Sequence, residues 1–406
     1  MSVDSGIRDP SKPAANTHVH LAPNFSAFET ASGAVHQAAV EGIRVLGASN
    51  YYHFGVYRAF AEQARCEGIV PLFGLEVITL IEDMRRDGTL VNDPTNPGRM
   101  YLCGKGIAWF DPPPRPAEAL AAGMRAANDA RMREMVVRMN ARFASAGLAD
   151  GITDERVAHD VAARSGVPRP WVSLQERHVA QAFQESLFRQ VPAGARECTL
   201  ARVLGLGAAA IAGADDPVGV QELLRSHLMK AGRPAFVPEA AVSFDDAYRL
   251  ILELGGIPCY PTLADGASPI CSFEDPPEAL ADRLLDRGIH CAELIPVRNS
   301  SEAVDRYVAA FRARGIVVTA GTEHNTQQPI PLTPACRGGQ PLSEFALEAF
   351  WEGTCVVVAH QQEVMSGKPG FVDGDGHLNA GFAGDEERIR SFCERGAGLI
   401  GAESAR

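Results

Sequence analysis

The nine cysteines include no C-x-x-C pair, and several fall inside apolar, strand-like runs. That excludes a paired-cysteine zinc site and argues for reduced thiols over a disulfide framework; most read as small core residues. Lysine and arginine form no cluster, and the formal net charge is -12. A long nucleic acid held by its backbone and an anionic membrane surface are therefore excluded as partners. There is no apolar run long enough to span a bilayer. The first 16 residues carry Pro10 and Pro13 and lack the apolar core of a secretory signal, so they are expected to form a flexible arm on a cytoplasmic protein. No internal repeat stands out beyond an alternation of strand and helix patterns.

What is present is a chain of 406 residues, 46% hydrophobic and 22% charged, large enough for two or three domains or for one barrel with an insertion. Hydrophobic spacing predicts a strand at 17–21, a helix at 32–44, a strand at 45–49, a helix at 56–66 and a strand at 69–80. A turn-rich loop, 92–99, precedes a strand-like run at 100–110 that Gly104-Lys105-Gly106 interrupts. The stiff segment Asp111-Pro112-Pro113-Pro114-Arg115-Pro116 then marks a boundary. Beyond it the spacing turns helical, at 117–146, 154–165, 174–189 and 216–231. The alternation resumes with helices at 244–254, 277–287, 301–314 and 343–352 and strands at 256–260, 291–296, 316–320 and 354–359; a last helix is predicted at 385–395. The expected organisation is an arm (1–16), the first part of an α/β barrel (17–112), a helical insertion domain (113–234), the second part of the barrel (235–365) and a tail with a short helix (366–406). About seven strand–helix repeats come close to a (β/α) barrel.

In such a barrel the chemistry sits where the strands run out. His18 and His20, two apart on the first strand, point to one face and can share a cation. Glu76 lies in the apolar run 70–78, where an unpaired carboxylate would be costly and needs a metal or a cation. With Glu323 from Gly321-Thr322-Glu323-His324-Asn325, the set offers two nitrogens and two oxygens, which suits zinc, manganese or iron more than calcium. Other strand ends carry Asn50, Tyr51 and His53, then Tyr101 and Cys103, then Tyr260, and then Arg298.

These residues, His18-x-His20, Asn50 to His53, Gly74-x-Glu76 and Gly-Thr-Glu-His at 321–324, resemble the motifs of the polymerase and histidinol phosphatase (PHP) family of metal-dependent phosphoesterases. The resemblance covers 16–110 and 235–360, and it implies a distorted seven-stranded, TIM-like barrel and a metal site that is often trinuclear. His18 and His20 match the first motif, Glu76 the bridging carboxylate, and Glu323 the position usually held by aspartate. The match breaks where Asn50-Tyr51 replaces an Asp-His pair and where Tyr260 stands for the histidine before a proline. It also breaks near Tyr101, where a histidine is missing, and at His324, which follows Glu323 directly. One ion is expected, and a second through His53 and His324; a trinuclear site is not. The stretch 135–140 with Glu176-Arg177-His178 resembles the insertion of the PHP subgroup acting on nucleotides or RNA ends, where an Arg-His-bearing helix caps the site.

The resulting expectation is hydrolysis of a small phosphorylated molecule. His18, His20, Glu76 and Glu323 would hold the metal, and His324 or His53 would protonate the leaving group. Arg177, His178, Arg99, Lys105 and Arg298 would bind substrate, and Asn50, Tyr51 and Tyr260 would line the pocket. Amidohydrolase-type cleavage of a C–N or C–O bond is the chemical alternative. A degenerate barrel that only binds a ligand is the alternative from another class.

Overall fold

The computed structural model describes residues 14–207, 211, 213–239, 242–328 and 330–404; most of the expected arm lies outside them, and 14–16 already belong to a strand. Seven strands, β1 (Ala14–Val19), β2 (Ile43–Tyr51), β3 (Val70–Leu80), β4 (Arg99–Lys105), β5 (Ile257–Thr262), β6 (Cys291–Leu294) and β7 (Val317–Ala320), pair in sequence order. The Thr17 hydroxyl donates to Ala320 O at 3.0 Å and Thr322 N donates to His18 O at 3.1 Å, so β7 meets β1 and the barrel nearly closes. A Cβ at Gly321 would lie 2.3 Å from His18 Cβ; only glycine lets the chain after β7 come this close.

The strands are parallel except β4, which runs antiparallel to both β3 and β5. The short helix α1 (Ala31–Val40) follows β1 and α2 (Tyr57–Cys66) follows β2, each returning the chain to the start of the next strand. After β3, α3 (Glu82–Arg86) and a loop leave the chain at the same end of the barrel, and β4 runs back. Its first residues, not its last, therefore sit at the mouth: Tyr101 pairs with Ile78, Cys103 with Glu76 and Lys105 with Gly74.

The helical stretch comprises α4 (Arg115–Ser145), α5 (Asp154–Ser165), α6 (Glu176–Gln190), α7 (Ala193–Leu204) and α8 (Pro217–Leu224), which passes into a π turn over Arg225–Met229. The spacing misses α7: Gly194 and Thr199 are weak helix formers, and the burial of Leu200, Ala201, Val203 and Leu204 holds it. Ala117, Ala121 and Met124 of α4 join the barrel core, while Met132 to Phe143 join a separate apolar cluster reaching Ala235.

In the second half, α9 (Phe244–Glu253), α10 (Pro277–Leu285) and α11 (Ser301–Arg312) pack outside the sheet. The helix predicted at 343–352 and the strand predicted at 354–359 form one helix, α12 (Glu344–Met365). The run Val356 to Val358 reads as a strand because it is β-branched and wholly apolar. It is helical because α12 lies between the barrel and α13 (Asp385–Ser404), which buries it all round. A Cβ at Gly353 would meet Val318 O and one at Gly396 would meet Cys355 O, so these two glycines let the layers touch. Among the described residues no helix is long and apolar enough to cross a membrane.

Tyr260 shows how the end of β5 is tied. Its hydroxyl donates to Glu274 Oε1 at 3.0 Å, and the same carboxyl accepts from Leu263 N at 2.9 Å and Ala264 N at 2.6 Å. Burial raises Glu274 from 4.5 to about 7 despite these donors. A carboxyl whose pKa is raised by folding binds more protons folded than unfolded, so its contribution to stability is lost as pH rises from about 4.5 to about 7. Glu274→Gln is expected to remove a loss on the order of 2 kcal/mol across that window, measured as the difference from wild type in urea denaturation at pH 4.5 and pH 7.5.

Candidate metal centre

His18 and His20 leave the end of β1 toward the barrel mouth, and both are buried. His18 Nε2 lies 3.4 Å from His20 Nε2, His18 Nε2 3.4 Å from Glu76 Oε2, and His20 Nε2 3.2 Å from the same oxygen. Donors about 2.0–2.1 Å from a tetrahedral cation are about 3.3 Å apart. Three donors from two strands thus stand at the mutual distances that one ion imposes.

The donor chemistry fits as well. His18 Nδ1 donates to Glu293 Oε1 at 2.7 Å, which leaves Nε2 as the nitrogen with a free lone pair. Burial disfavours the charged imidazole, but the charge of Glu293, then its hydrogen bond and that of Glu76, raise His18 to about 9. The surroundings thus call for a positive charge at Nε2, which either a proton or a metal ion supplies. Burial alone would push Glu76 up; hydrogen bonds from His18 and His20 hold it well below the usual carboxylate range. Its other oxygen accepts the Tyr51 hydroxyl at 2.5 Å, and the Tyr51 ring stacks on His20 at 5.2 Å. The Cys103 thiol also lies within 4.8 Å of His18 and Glu76 donor atoms, but burial and the nearby Glu293 and Glu76 charges raise its pKa, so it stays protonated.

Below this triad, Lys105 Nζ donates to Glu293 Oε2 at 2.6 Å and to Thr17 O at 3.1 Å, and is 2% exposed. Lys105 was expected at the mouth, binding substrate; the reversed direction of β4 places it two residues deeper, under His18. Glu293 itself was missed. The signal that picked out Glu76 was present there too, a lone carboxylate in the apolar strand Cys291–Leu294.

His18 and Glu76 form part of the wall of a cavity of about 570 Å³ between the barrel mouth and the helical stretch. Arg99, Arg177, Arg298, Tyr51 and Glu323 line it as well. Arg99 is paired with Asp93 at 3.1 Å and with Glu239. Arg177, at the start of α6, pairs with Glu222 at 3.7 Å; burial and Arg225 push its guanidinium down to about 10. The Glu323 backbone lies beside the triad, since His20 N donates to Glu323 O at 2.8 Å. Its carboxylate, expected on the metal, instead accepts both Arg298 terminal nitrogens, at 2.7 and 2.5 Å.

Other expected site residues are spent elsewhere. The two ring nitrogens of His324 bond the Thr322 hydroxyl at 2.8 Å and Ile330 O at 3.0 Å, and its ring stacks on Phe28. His53 accepts from Gly55 N at 3.0 Å through Nδ1 and leans on Trp171; burial and Arg125 lower it to about 4. Neither lines the cavity. His178 accepts from Gln175 N at 3.0 Å as the cap of α6 and is buried against Phe25, because its helix turns Arg177, not His178, toward the cavity. Asn50 bonds both N and O of Leu21, at 2.8 Å each, which fixes the chain just past His20. Tyr260 is fully buried on Glu274 and, like Asn50, does not line the cavity.

The Lys105–Glu293 pair is almost wholly shut off from solvent. Removing one partner of such a pair leaves an uncompensated charge and costs about 3–5 kcal/mol. Lys105→Met is therefore expected to lower stability by about 3 kcal/mol, read from denaturant midpoints at constant m-value.

No family model matches this sequence, and no curated protein matches it. Among solved structures, the fold is similar to a protein provisionally described as a metal-dependent phosphoesterase from Bifidobacterium adolescentis, at a TM-score of 0.53 and 17% identity over 84% of this chain and 96% of that one. It is equally similar to an amidohydrolase from Chromobacterium violaceum with bound sulfate and no metal, at a TM-score of 0.53 and 18% identity over 83% of this chain and 96% of that one. At these identities the likeness is one of fold: a TIM-like barrel of seven strands with helical additions.

Proposed function

We propose that this chain is a hydrolase of PHP type that cleaves a small phosphoester with the help of a divalent cation. The observation that carries the reading is the convergence of His18 Nε2, His20 Nε2 and Glu76 Oε2 at 3.2 to 3.4 Å from one another. These three would hold zinc, manganese or iron. When bound, such an ion polarises a phosphoryl oxygen and makes a water acidic enough to attack near neutral pH.

The protein's own residues do the rest. Glu293 keeps the His18 proton on Nδ1 and the ring in place. Tyr51 orients Glu76 from the other side. Arg298 and Arg177 present guanidinium groups to the cavity, where planar forks of N–H donors suit phosphate oxygens. Arg177 comes from α6, opposite the barrel mouth, and would hold the far side of the substrate.

Amidohydrolase-type cleavage would use the same triad, and the fold is shared with a protein of that name. The guanidinium groups in the cavity favour the anionic substrate. Against a degenerate barrel that only binds a ligand stands the convergence of these three donors, although Asn50 and Tyr260 have taken structural work.

The purified protein supplied with manganese or zinc is expected to hydrolyse some member of a panel of small phosphomonoesters and phosphodiesters, and a chelator should abolish this. Turnover that survives metal removal, or none with any metal, would sink the proposal. His20→Ala should lose both bound metal and activity; full activity in that variant would refute the assignment of ligands. Arg177→Ala should mainly raise KM, by roughly tenfold for the loss of one charge-assisted contact, with kcat little changed in steady-state kinetics.

A further inference from the structure

We infer that the centre takes one divalent cation, and that the Arg298 guanidinium, tethered by Glu323, supplies the second positive charge of the site. The inference rests on the metal reading proposed above and concerns what surrounds that ion.

The geometry at Glu323 is the starting point. Its Oε1 accepts from one Arg298 terminal nitrogen at 2.7 Å and its Oε2 from the other at 2.5 Å. Asn325 Nδ2 donates to Oε2 as well, at 2.5 Å. Both oxygens are thus engaged in a two-pronged pair of the strongest kind. The backbone fixes this aim. Glu323 and His324 are consecutive non-glycine residues at φ 59° and 52°, a region that such residues adopt only when their surroundings hold them there. The holding contacts are Glu323 N to His18 O at 2.9 Å and His20 N to Glu323 O at 2.8 Å.

A second ion would need other donors, and the candidates are engaged or, like His53, do not line the cavity. Asn50 serves Leu21, Tyr51 serves Glu76, Tyr260 serves Glu274, and both nitrogens of His324 are bonded. Among the described residues, potential ligands gather in two places: around His18 and Glu76, with His20 and Cys103 beside them, and in an exposed turn of Asp373, Asp375 and His377. The second does not line the cavity.

Arg298 is placed to act as a cation toward substrate. Its side chain is 41% exposed and lines the cavity with His18 and Glu76. Burial opposes its charge, but Glu323 first and Glu76 next strengthen it. A guanidinium has five N–H donors, and the pair with Glu323 uses one on each terminal nitrogen, so donors remain for a bound anion. A phosphoryl group would then lie between one metal ion and one fixed guanidinium, where a two-metal site would offer a second ion. The ligand class is a small dianionic phosphoester, contacted at two non-bridging oxygens.

The test counts metal and measures anion binding, both without turnover. After equilibration with manganese, elemental analysis of wild type should find one ion per chain above the His20→Ala baseline, which absorbs any binding at the exposed turn. Glu323→Gln should retain that ion. In the manganese-loaded protein, Arg298→Gln should bind inorganic phosphate at least about tenfold more weakly by calorimetry while keeping its metal. Arg298→Lys, which keeps the charge and the fold but not the fork, should fall between. Two ions above baseline in wild type, or loss of metal in Glu323→Gln, would overturn the inference and leave the metal reading standing. Unchanged phosphate binding in both Arg298 variants would overturn the role of the guanidinium. No ion above baseline in wild type would remove the metal reading itself, and this inference with it.

Discussion

A carboxylate that water cannot reach, Glu293, holds the centre together. It is fully buried on β6, and burial alone would push its pKa up; the charges of His18 and Lys105 hold it down, to about 2. It therefore stays ionised and must be neutralised within the barrel. Lys105 does so from below and His18 from the side. This fixes which nitrogen of His18 faces the cavity, and hence where the triad points. The antiparallel course of β4 belongs to the same arrangement, since it carries Lys105 two residues past the level of Glu76, to pair with Gly74.

Around that core, the remaining positions are held by side chains that stabilise loops. Asn50 clamps Leu21, Tyr260 holds the turn after β5 through Glu274, and Arg298 occupies the Glu323 carboxylate. Each of these residues hydrogen-bonds a buried polar neighbour and so fixes the loop that carries it. On the proposed reading the site offers one place for a cation, at the His18–His20–Glu76 triad, and fixed hydrogen bonds hold much of the rest of its rim. Guanidinium groups reach the cavity above from both walls, Arg298 from the barrel and Arg177 from α6.

Much of this was legible in the chain. Short apolar runs located the strands, with the end of β4 overrun, and period-3.6 patterns located the helices α1, α2, α4, α5, α6, α9, α10 and α11 to within a few residues, because the strands are buried nearly throughout and these helices bury one stripe. The run Val356 to Val358 misled because a segment buried on all sides has no period, and only its neighbour α13 decides that it is helical. The direction of β4 was likewise invisible, because a strand's pattern is the same read either way, and with it went the place of Lys105. His18, His20 and Glu76 were readable from spacing and from the cost of a bare buried carboxylate. The partners of Glu323, His324 and His53 were not, since a histidine or glutamate at a strand end looks alike whether it faces a cavity or a neighbouring backbone.

The account stands or falls on the triad. Crystals grown or soaked with manganese and measured for anomalous scattering test it most directly. The account predicts the strongest anomalous peak within about 2.0–2.2 Å of His18 Nε2, His20 Nε2 and a Glu76 oxygen. A map with no peak there, with the imidazoles and Glu76 still bonded directly to one another in the presence of the ion, would contradict it.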